Sequence, residues 1–384
     1  MNVPKLRFKE FNDEWIETKI QNVATVIGGG TPSTDEPKYW GNEINWFTPS
    51  EIGKTKYVTI SNRKISQDGL KNSSAKLLPK GTILLSSRAT VGEASILLNE
   101  ASTNQGFQSL IVNENNCNEF IYYLKYKYKR EMLIKSFGST FLEISKSNVE
   151  NIKIKIPSKE EQFMIANFLS LLDKKIELQS KKIEDLKLFK KGLHNQLFNE
   201  IDGEDYLLSD IAKFENGKGH ENIVDENGNY ILINSKFIST EGSVIKNCSE
   251  QLTPLYKDDI TMVMSDLPNG KALAKCYYIE FDNKYSLNQR ICRISIKDKE
   301  EFNPKYLFYT LNRNPYYLKF DDGVNQTNLK KDDILNINLN IPDKTIQDKN
   351  ANILTLIDKI INKELSKLDS LNSLKKGLIQ NMFV

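Results

Sequence analysis

Two segments in the first half of the sequence combine residues that can read the base edges of duplex DNA. An arginine follows a hydrophobic run in SSRATVG (86–92), and two glutamines lie in NQGFQ (104–108). Arginine pairs bidentately with guanine, and glutamine or asparagine with adenine. A third segment, GGGTPSTDEPKYWG (28–41), supplies glycines, hydroxyls, a lysine and aromatics that suit contact with a phosphate backbone and bases. The second half has counterparts in SDLPNGK (265–271) and NQR (288–290).

The candidate DNA-binding residues are therefore mostly polar, charged or aromatic side chains in predicted loops. In the first half they are Thr31, Ser33, Lys38, Tyr39, Trp40, Ser87, Arg88, Gln105, Phe107 and Gln108. In the second half they are Lys218, Asp266, Asn269, Lys271, Gln289 and Arg290. The competing interpretation is that these segments are only turns and strand caps, which use the same residue types.

Sequence motifs for catalysis are missing or incomplete. The nearest approach to the Asn/Asp-Pro-Pro-Tyr/Phe tetrapeptide of adenine methyltransferases is Asn314-Pro315-Tyr316-Tyr317, which has one proline and is predicted to be a turn. Gly28-Gly29-Gly30 is followed by Thr31-Pro32 and not by a helix, which disfavours a cofactor loop. The sequence has no GxxxxGK[ST] phosphate loop and only two histidines. We expect no catalytic residue, metal site or cofactor on this chain.

Composition and charge bound the class of protein. With 384 residues the chain exceeds one ordinary core, so two or more domains are expected. No apolar run approaches the ~20 residues that span a bilayer, and the N-terminus does not have the pattern of a secretory signal, so we expect a cytoplasmic protein. The four cysteines form no CxxC pair, so we expect them to be free thiols. Residues 1–157 carry 21 basic and 16 acidic residues, whereas residues 201–342 carry 17 and 22. DNA contact in the second half must therefore come from local basic clusters.

An internal repeat with a period of 185 residues organises the chain. ISKSNVENIKIKIPSKEEQ (144–162) aligns without a gap to LKKDDILNINLNIPDKTIQ (329–347), and KKGLHNQLF (190–198) aligns to KKGLIQNMF (375–383). Upstream the repeat is weaker: STNQGF (102–107) resembles SLNQRI (286–291), and Gly138 and Gly323 share the offset. The helical segments of the two repeats are alike in sequence, whereas the domains have diverged. We infer that both helical segments serve the same scaffold function and that the two domains bind different targets.

Each repeat ends in a long segment with the apolar spacing of a coiled coil. Ser158, with Glu161, fits a capping box, and Asp343 is a good N-cap. The predicted seam residues recur about every 3.5 residues. They are Ile165, Leu169, Leu172, Ile176, Ile183, Leu186, Leu354, Ile357, Ile361, Leu368 and Leu371. A two-fold relation between the copies predicts antiparallel helices, with Glu364 facing Lys190 and Gln179 facing Lys375. The alternative is two amphipathic helices that pack only on their own domains.

The remaining segments predict two mixed α/β domains. Strands are expected at 81–87, 108–113, 151–157, 260–266, 290–297 and 336–342, and helices at 120–137 and 304–313. The predicted fold class is α+β, with two mixed α/β domains (1–157 and 201–342) in pseudo-two-fold repeat. They are separated by two long antiparallel coiled-coil helices (158–200 and 343–384).

Motifs over essentially the whole chain resemble those of Type I restriction–modification specificity (S) subunits. They are PKLRFKEFNDEW, GGGTPSTDEPKYWGNEINWFTPSEI, LLSSRATVG, TNQGF and the helix pattern IPSKEEQ…IANFLSLLDKKIE…KKGL…QLF. The second domain departs from the pattern, with ENGKGHENI (215–223) in place of a GGTPS-like opening. Its DNA target is therefore the less predictable of the two.

The resemblance implies a sequence-specific DNA-binding subunit without chemistry of its own. Each domain would be a target-recognition domain that reads one half of a bipartite, asymmetric site, and the helices would set the number of unread base pairs between the halves. Two methyltransferase (modification) subunits that use S-adenosylmethionine and two motor–nuclease (restriction) subunits that use ATP would carry out adenine-N6 methylation and restriction. The competing hypothesis is a coiled-coil protein-interaction scaffold without DNA readout, which the acidic second domain favours and the loops rich in Asn, Gln, Ser and Arg disfavour.

Overall fold

The chain forms two compact units in a computed structural model that describes residues 3–137, 142–198, 202–268 and 270–384. Unit 1 contains the residues up to Lys181 together with Ser366–Val384, and unit 2 contains Lys182–Leu365. Two residues singled out in the sequence, Gly138 and Asn269, lie outside the described residues.

Unit 1 contains a domain with one mixed five-stranded sheet and two smaller sheets. Its strands are β1 (Ile16–Lys19), β2 (Ala24–Gly28), β3 (Trp40–Phe47), β4 (Tyr57–Val58), β5 (Arg63–Ile65), β6 (Ile83–Leu85), β7 (Ala94–Leu97), β8 (Ser102–Thr103), β9 (Gln108–Val112) and β10 (Lys153–Ile156). Its helices are α1 (Ile20–Val23), α2 (Gln67–Lys71), α3 (Asn118–Ile134), α4 (Lys146–Glu150) and the first part of α5 (Lys159–Phe198). The strand orders are β2-β9-β6-β7-β4, β5-β3-β8 and β1-β10.

Unit 2 contains a domain built from the same parts. Its strands are β11 (Glu204–Leu207), β12 (Ala212–Asn216), β13 (Tyr230–Ile233), β14 (Asn247–Cys248), β15 (Ile260–Val263), β16 (Ser265–Asp266), β17 (Cys276–Tyr278), β18 (Tyr285–Leu287), β19 (Ile291–Ile296), β20 (Thr327–Asn328) and β21 (Asn338–Ile341). Its helices are α6 (Leu208–Ile211), α7 (Ser235–Ser239), α8 (Pro304–Leu311), α9 (Pro315–Leu318), α10 (Lys331–Leu335) and the first part of α11 (Lys344–Met382). The strand orders are β12-β19-β15-β17, β14-β13-β18, β16-β20 and β11-β21.

The strand orders repeat between the domains. The run β2-β9-β6-β7 corresponds to β12-β19-β15-β17, and the small sheets β5-β3-β8 and β1-β10 correspond to β14-β13-β18 and β11-β21. Every predicted strand and helix contains a matching element in the structure. The predicted pair of mixed α/β domains is confirmed, because each domain combines β-sheets of matching strand order with α-helices.

The core of each domain forms between its main sheet and its longest domain helix. In unit 1, Phe120 and Tyr123 of α3 are fully buried against β-strand residues such as Ile83. The end of α11 adds Ile379 and Met382 to the same cluster. Burial of this apolar surface is the main stabilising contribution, at roughly 25 cal/mol per Å². The last turns of α11 are therefore part of the first domain's core.

The predicted seam residues lie on the packed faces of α5 and α11. Of these, seven are buried, namely Ile165, Leu169, Leu172, Ile183, Leu354, Ile357 and Ile361. The other four, which are Ile176, Leu186, Leu368 and Leu371, are half-buried. All eleven are thus withdrawn wholly or partly from solvent, at the predicted spacing of about 3.5 residues.

In unit 2, the start of α11 lies antiparallel to the end of α5. Lys182 Nζ lies 3.2 Å from Glu364 Oε1, and Lys190 Nζ lies 2.5 Å from Asp358 Oδ1, so residue numbers rise along one helix as they fall along the other. The predicted pair of Lys190 with Glu364 is wrong. Seam spacing fixes the period of a coiled coil but not its axial register, and here the end of α5 is placed by its packing on the second domain.

In unit 1, the start of α5 lies beside the end of α11. Lys375 Nζ lies 2.6 Å from Asp173 Oδ1, and Ile165 belongs to the same hydrophobic cluster as Met382. The predicted pair of Lys375 with Gln179 is therefore wrong, because the seam spacing does not fix the axial register of the two helices.

A glutamine at the same repeat position near the start of each long helix ties that helix to its domain. Gln162 accepts the Cys117 N–H at 2.9 Å and donates to Pro157 O at 3.1 Å, which ties the helix to its domain. Gln347, at the equivalent position of α11, bonds in the same way to the second domain and to the residue five positions before it. Both glutamines are buried, so each fixes the direction in which its helix leaves the domain.

The helix caps agree only in part with prediction. Asp343 accepts the Ile346 N–H at 3.0 Å, as expected of an N-cap. Ser158 accepts the Glu161 N–H at 3.4 Å, but the buried carboxylate of Glu161 accepts from Arg7 Nε at 2.8 Å. Because Arg7 recruits this carboxylate, the predicted reciprocal capping box is replaced by an ion pair with the N-terminal segment.

The four cysteines are free thiols, as predicted, and all four are buried. Burial raises the pKa of the Cys292 thiol to about 12, so this thiol stays protonated at neutral pH. No helix in the part of the chain that the structure describes has the length and apolar character needed to cross a lipid bilayer.

Candidate nucleic-acid interface

Three loops that carry predicted site residues meet in the first domain, and we call them the glycine loop (29–33), the arginine loop (86–92) and the glutamine loop (104–107). Gly30 N–H donates to Thr103 O at 2.9 Å, beside the start of the glutamine loop. Thr31 Oγ1 donates to Gln105 Oε1 at 2.5 Å. The side chains of Thr31 and Gln105 are both exposed, so two predicted residues share one solvent-facing position.

The arginine loop joins the other two loops through its backbone. Ser87 N–H donates to Gly106 O at 2.8 Å, and Ile144 N–H donates to Ser87 O at 3.0 Å. The three loops and the segment before α4 therefore form one hydrogen-bonded platform. We call this platform the three-loop site.

The same backbone bonds recur in the second domain. Lys218 N–H donates to Leu287 O at 3.3 Å, Met264 N–H donates to Arg290 O at 3.0 Å, and Leu329 N–H donates to Met264 O at 2.8 Å. The equivalent loops are 217–221, 264–272 and 288–290. The weak upstream repeat in the sequence thus corresponds to a repeated three-loop site, although few of its side chains are shared.

A glycine is required at the same point of both sites. A Cβ on Gly29 would lie 2.1 Å from Asn104 O, and a Cβ on Gly217 would lie 2.0 Å from Asn288 O. Real Cβ atoms do not approach a carbonyl oxygen so closely. Gly29 and Gly217 therefore each permit the close approach of two loops.

Arg88 projects from the first three-loop site and is held by one carboxylate. Its side chain is 44% exposed, and its Nη2 lies 2.8 Å from Glu143 Oε1. The backbone is also fixed, since Ser86 Oγ donates to Arg88 O at 2.9 Å and the next residue, Ala89, has φ +59°. An exposed arginine on a rigid turn can exchange one carboxylate partner for a phosphate or for guanine.

The second domain has different side chains at these positions. Ser265 pairs with Asn328 in strand register, where the first domain pairs Arg88 with Glu143. Gln326 Nε2 donates to Ser265 Oγ at 2.7 Å. A cavity of about 240 Å³ opens here, lined by Asn216, Gly217, Met264, Ser265, Arg290, Asn328 and Leu329. This site presents amides, a hydroxyl and one exposed arginine, so its hydrogen-bonding pattern differs from that of the first domain.

An aromatic–arginine stack extends the first site and was missed in the sequence. The Arg63 guanidinium lies 3.6 Å from the ring centre of Trp40, and Trp40 Nε1 donates to Ser33 O at 3.0 Å. Lys38, exposed beside Tyr39, continues this surface. Arg63 was missed because it meets the Trp40 ring only through the pairing of β5 with β3, which the sequence does not reveal.

Some predicted contact residues are not available in this conformation. Phe107 and Ser87 are 0% exposed, because both point into the domain and Phe107 belongs to a hydrophobic cluster. Their side chains cannot meet DNA without rearrangement, which corrects the prediction for both. Gln108 is half-buried, and its Oε1 accepts no hydrogen bond among the described residues.

Asp266 organises a loop in the second domain. Its carboxylate accepts the backbone N–H groups of Leu267, Ala272 and Leu273 at 2.7–3.1 Å. These backbone bonds are the ones that the turn interpretation expects of Asp266. Lys271 is exposed next to this loop.

The remaining predicted residues of the second domain meet at the surface. The exposed side chains of Gln289 and Glu221 are hydrogen-bonded, and Gln289 N–H donates to Lys218 O at 2.9 Å. His220 is 1% exposed, and its Nε2 lies 2.7 Å from Ser286 Oγ. This buried contact anchors the loop 217–221 to the domain. The exposed Lys218 and Gln289 are therefore held at neighbouring positions.

The methyltransferase-like tetrapeptide has a structural role. Asn314 caps α9 by accepting the Tyr316 N–H at 2.9 Å, and Tyr317 is fully buried with its hydroxyl donating to Ile334 O at 3.2 Å. Among the described residues, no group of histidine, cysteine, aspartate and glutamate side chains is arranged to hold a metal ion.

Comparison with known proteins identifies the repeated domain. A family model described as "Type I restriction modification DNA specificity domain" matches residues 12–188 and 200–374. The Type I restriction enzyme MjaIX specificity subunit of Methanocaldococcus jannaschii is 38% identical over 215 residues, which are 54% of this chain and 50% of that protein. The EcoR124I/EcoR124II specificity subunit of Escherichia coli is 27% identical over 197 residues, 47% of this chain and 48% of that protein. The chain thus spans about half the length of these curated relatives.

Solved structures share the fold. The crystal structure of the Type I restriction–modification S subunit from M. genitalium has a TM-score of 0.65 and 19% identity, covering 100% of this chain and 99% of that chain. A chain from a structure concerned with complex assembly and conformational transition of the type I R-M system has a TM-score of 0.60 and 15% identity, covering 96% and 97%. At these identities the likeness shows the fold alone. The family match falls once on each repeat and includes both three-loop sites, so this chain belongs to the Type I restriction–modification DNA specificity family.

Proposed function

We propose that this chain selects a bipartite, asymmetric DNA sequence and directs partner subunits to methylate or cleave it. The observation that carries the proposal is the three-loop site, which has the same backbone bonds in both domains but different side chains. The first site presents Arg88 and Gln105, and the second presents Lys218, Gln289 and Arg290. Two three-loop sites with the same backbone bonds but different side chains are suited to recognise two half-sites of different sequence.

The difference between the domains supports asymmetry of the target. A symmetric dimer of DNA-binding domains recognises a palindromic sequence, because both domains present the same side chains to the DNA. Here Arg88 and Glu143 in one domain correspond to Ser265 and Asn328 in the other. The two half-sites should therefore differ in sequence, and the long helices should fix the number of base pairs between them.

Exposed apolar residues on the long helices support the proposed partners. Leu171 of α5 is 69% exposed, and Leu356 of α11, exactly one repeat later in the alignment, is 59% exposed. The neighbouring apolar residues differ between the two helices, since Phe168, which packs against Phe8, lies before Leu171 and is 40% exposed, whereas Ile360 lies after Leu356 and is 46% exposed. An exposed apolar patch of this kind marks a protein-interaction surface. The exposed leucine at the same repeat position in each unit fits two copies of one partner, which we propose to be the modification subunit.

The chemistry would reside on those partners. We propose that two modification subunits carry S-adenosylmethionine and methylate adenine at N6, and that two restriction subunits with ATP complete the nuclease. The chain itself would bind and orient the duplex. Exposed Lys38 and Lys218 would contact phosphates, and Gln105, Gln289 and Arg88 would contact base edges.

Salt-dependent DNA binding by the chain with its modification partner tests this proposal. We expect sequence-selective binding whose affinity falls steeply between 50 and 200 mM salt, because phosphate contacts release counterions. A mixed-sequence duplex of equal length is the control and should bind more weakly by at least roughly 10³-fold. Assembly with the partner but equal affinity for both duplexes would contradict DNA readout and favour the coiled-coil scaffold.

A further inference from the structure

A tyrosine, an aspartate and a lysine from three different elements meet in unit 1. Tyr123 of α3 donates its hydroxyl to Asp173 Oδ2 at 2.5 Å, and Lys375 of α11 lies 2.6 Å from Asp173 Oδ1. Tyr123 is 0% exposed, and both charged side chains are about one-fifth exposed. We call this group joint 1. It links the first domain to the two long-helix segments of its own unit.

The same group occurs in unit 2, and we call it joint 2. Tyr309 of α8 donates its hydroxyl to Asp358 Oδ2 at 2.8 Å, and Lys190 of α5 lies 2.5 Å from Asp358 Oδ1. Tyr309 is 3% exposed. Joint 2 thus contains a domain tyrosine, an aspartate of the helix that follows the domain, and a lysine of the other long helix.

The two joints are repeat counterparts in a chain whose domains have otherwise diverged. Asp173 and Asp358 are 185 residues apart, as are Lys190 and Lys375. Each aspartate belongs to one helix and each lysine to the other, so the two joints exchange the roles of α5 and α11. The tyrosines lie on α3 and α8, in domains that differ at most of the predicted reading positions. The retained group therefore serves a task that the two domains share.

The geometry of a joint is directional. One carboxylate oxygen is used by the domain and the other by the opposite helix, so the aspartate fixes both neighbours at once. Such charge-assisted bonds are short and angle-dependent, and partial burial strengthens them. Successive bases lie ~3.4 Å apart along one strand. A shift of the reading loops by one such step would place them on the wrong base pair, so the domain must be held more tightly than that.

We infer that joints 1 and 2 set the angle at which each domain leaves its helix segments, and that they thereby determine which spacer length between half-sites is accepted. This inference rests on the proposed function. The joint residues are positioning residues, since they lie in the domain–helix contact and not in the three-loop sites. They act on spacer length and leave the sequence of each half-site to the loops.

Competition binding to duplexes with altered spacers tests the inference. The complex of the full chain with its modification subunit is given duplexes that carry both half-sites with the preferred spacer or one base pair more or less. We expect Tyr309→Phe and Asp358→Asn each to reduce the preference for the correct spacer by roughly tenfold, which corresponds to ~1.4 kcal/mol. Half-site preference should not change. Tyr123→Phe should have the same effect through joint 1.

Lys182→Met is the matched control, because it breaks an ion pair between the same two helices, with Glu364, without touching a joint tyrosine. It should alter stability and leave spacer preference unchanged. Unchanged spacer preference in folded Tyr309→Phe and Asp358→Asn proteins, or an equal loss in Lys182→Met, would overturn the inference while leaving DNA readout intact. Failure of the wild-type protein to prefer any paired half-sites would instead remove the proposed function, and the inference with it.

Discussion

Phe383 stacks on Phe120, with ring centres 5.3 Å apart, so the residue that follows α11 helps to complete the core of the first domain. In unit 2 the end of α5 behaves in the same way, since Phe198 stacks on Tyr306 at 4.7 Å. Each domain is therefore closed by the far end of the helix that follows the other domain. This exchange of helix ends explains why the axial register of the helices depends on domain packing and not on the seam alone.

Removing the Phe383 ring should destabilise unit 1 selectively. Phe383 is 2% exposed, and Phe→Ala substitutions in cores cost about 3–5 kcal/mol. We expect hydrogen exchange of backbone amides in α3 and its sheet to accelerate in Phe383→Ala, with much smaller changes in α8. The converse pattern is expected for Phe198→Ala. Equal acceleration in both domains would contradict the separate closure of each unit.

Alanine at the loop-approach glycines should damage one three-loop site at a time. In Gly29→Ala the new Cβ would collide with Asn104 O, and in Gly217→Ala with Asn288 O, so the loops must separate. We expect Gly29→Ala to lose selectivity at the half-site read by the first domain, and Gly217→Ala at the other.

Gly192→Ala provides the control for these substitutions, because a Cβ there meets nothing within 4 Å. Inside a helix this change should stabilise the protein by about 0.5–1 kcal/mol and leave both half-sites intact. Competition binding with duplexes mutated in one half-site at a time measures all three variants. Loss of both half-sites in Gly29→Ala would argue against independent reading domains.

Glu143 should act as a competitor for Arg88. The ion pair holds the guanidinium at 2.8 Å without DNA, and a phosphate or guanine must displace the carboxylate. Glu143→Gln should therefore raise affinity for DNA of any sequence and narrow the difference between specific and non-specific duplexes. Arg88→Ala should lower discrimination at one half-site by about 1–3 kcal/mol. Equal affinities of wild type and Glu143→Gln for non-specific duplex would argue against this competition.

Lys125 should make stability depend on pH. This lysine is 5% exposed, and burial lowers its pKa to about 8. Below pH 8 the folded protein must hold a buried ammonium that the unfolded chain holds in water. Its unfolding free energy should therefore rise between pH 8 and pH 10.5 by about 3 kcal/mol.

Lys125→Met isolates this effect. The variant should be more stable than the wild type at pH 7, and the difference should shrink towards pH 10.5. Urea denaturation at pH 7, 8, 9 and 10 measures it, with the exposed Lys76→Met as control. A difference between wild type and Lys125→Met that stays constant with pH would contradict the shifted pKa.

Periodic features of the structure were predictable from the sequence. The seam residues of α5 and α11, such as Leu169 and Leu354, were predicted because a 3.5-residue repeat of apolar side chains fits few other structures. Strand alternation likewise predicted β10 and β21. The repeated backbone hydrogen bonds of the three-loop sites left only a weak signal in the sequence, the match of NQGF to NQRI. The signal is weak because similar backbone bonds can form with different side chains.

Features that depend on pairing between distant segments were not predictable. The stack of Arg63 on Trp40 needs the pairing of β5 with β3, and the ion pair of Lys190 with Asp358 needs an axial register that the seam leaves open. Phe107 was predicted to contact DNA together with Gln105 and Gln108, but its ring is fully buried in a hydrophobic cluster. Loop composition identified the right segments without giving the direction of each side chain.

Inserting residues into the helices should change spacing without changing what is read. An insertion of one helical turn within 176–183 of α5, matched by one at the equivalent residues of α11, lengthens the helix pair by about 5.4 Å. We expect each half-site sequence to be retained while the accepted spacer grows by one or two base pairs. An altered half-site sequence in such a variant would mean that the helices take part in base reading.

Sequencing the methylated adenines of a host that expresses this chain with its modification subunit tests the central claim most directly. We predict methylation at one motif of two unlike half-sites with a fixed number of unspecified base pairs between them, and none when this chain is omitted. A single contiguous motif, a palindrome, or the same methylation without this chain would contradict the account.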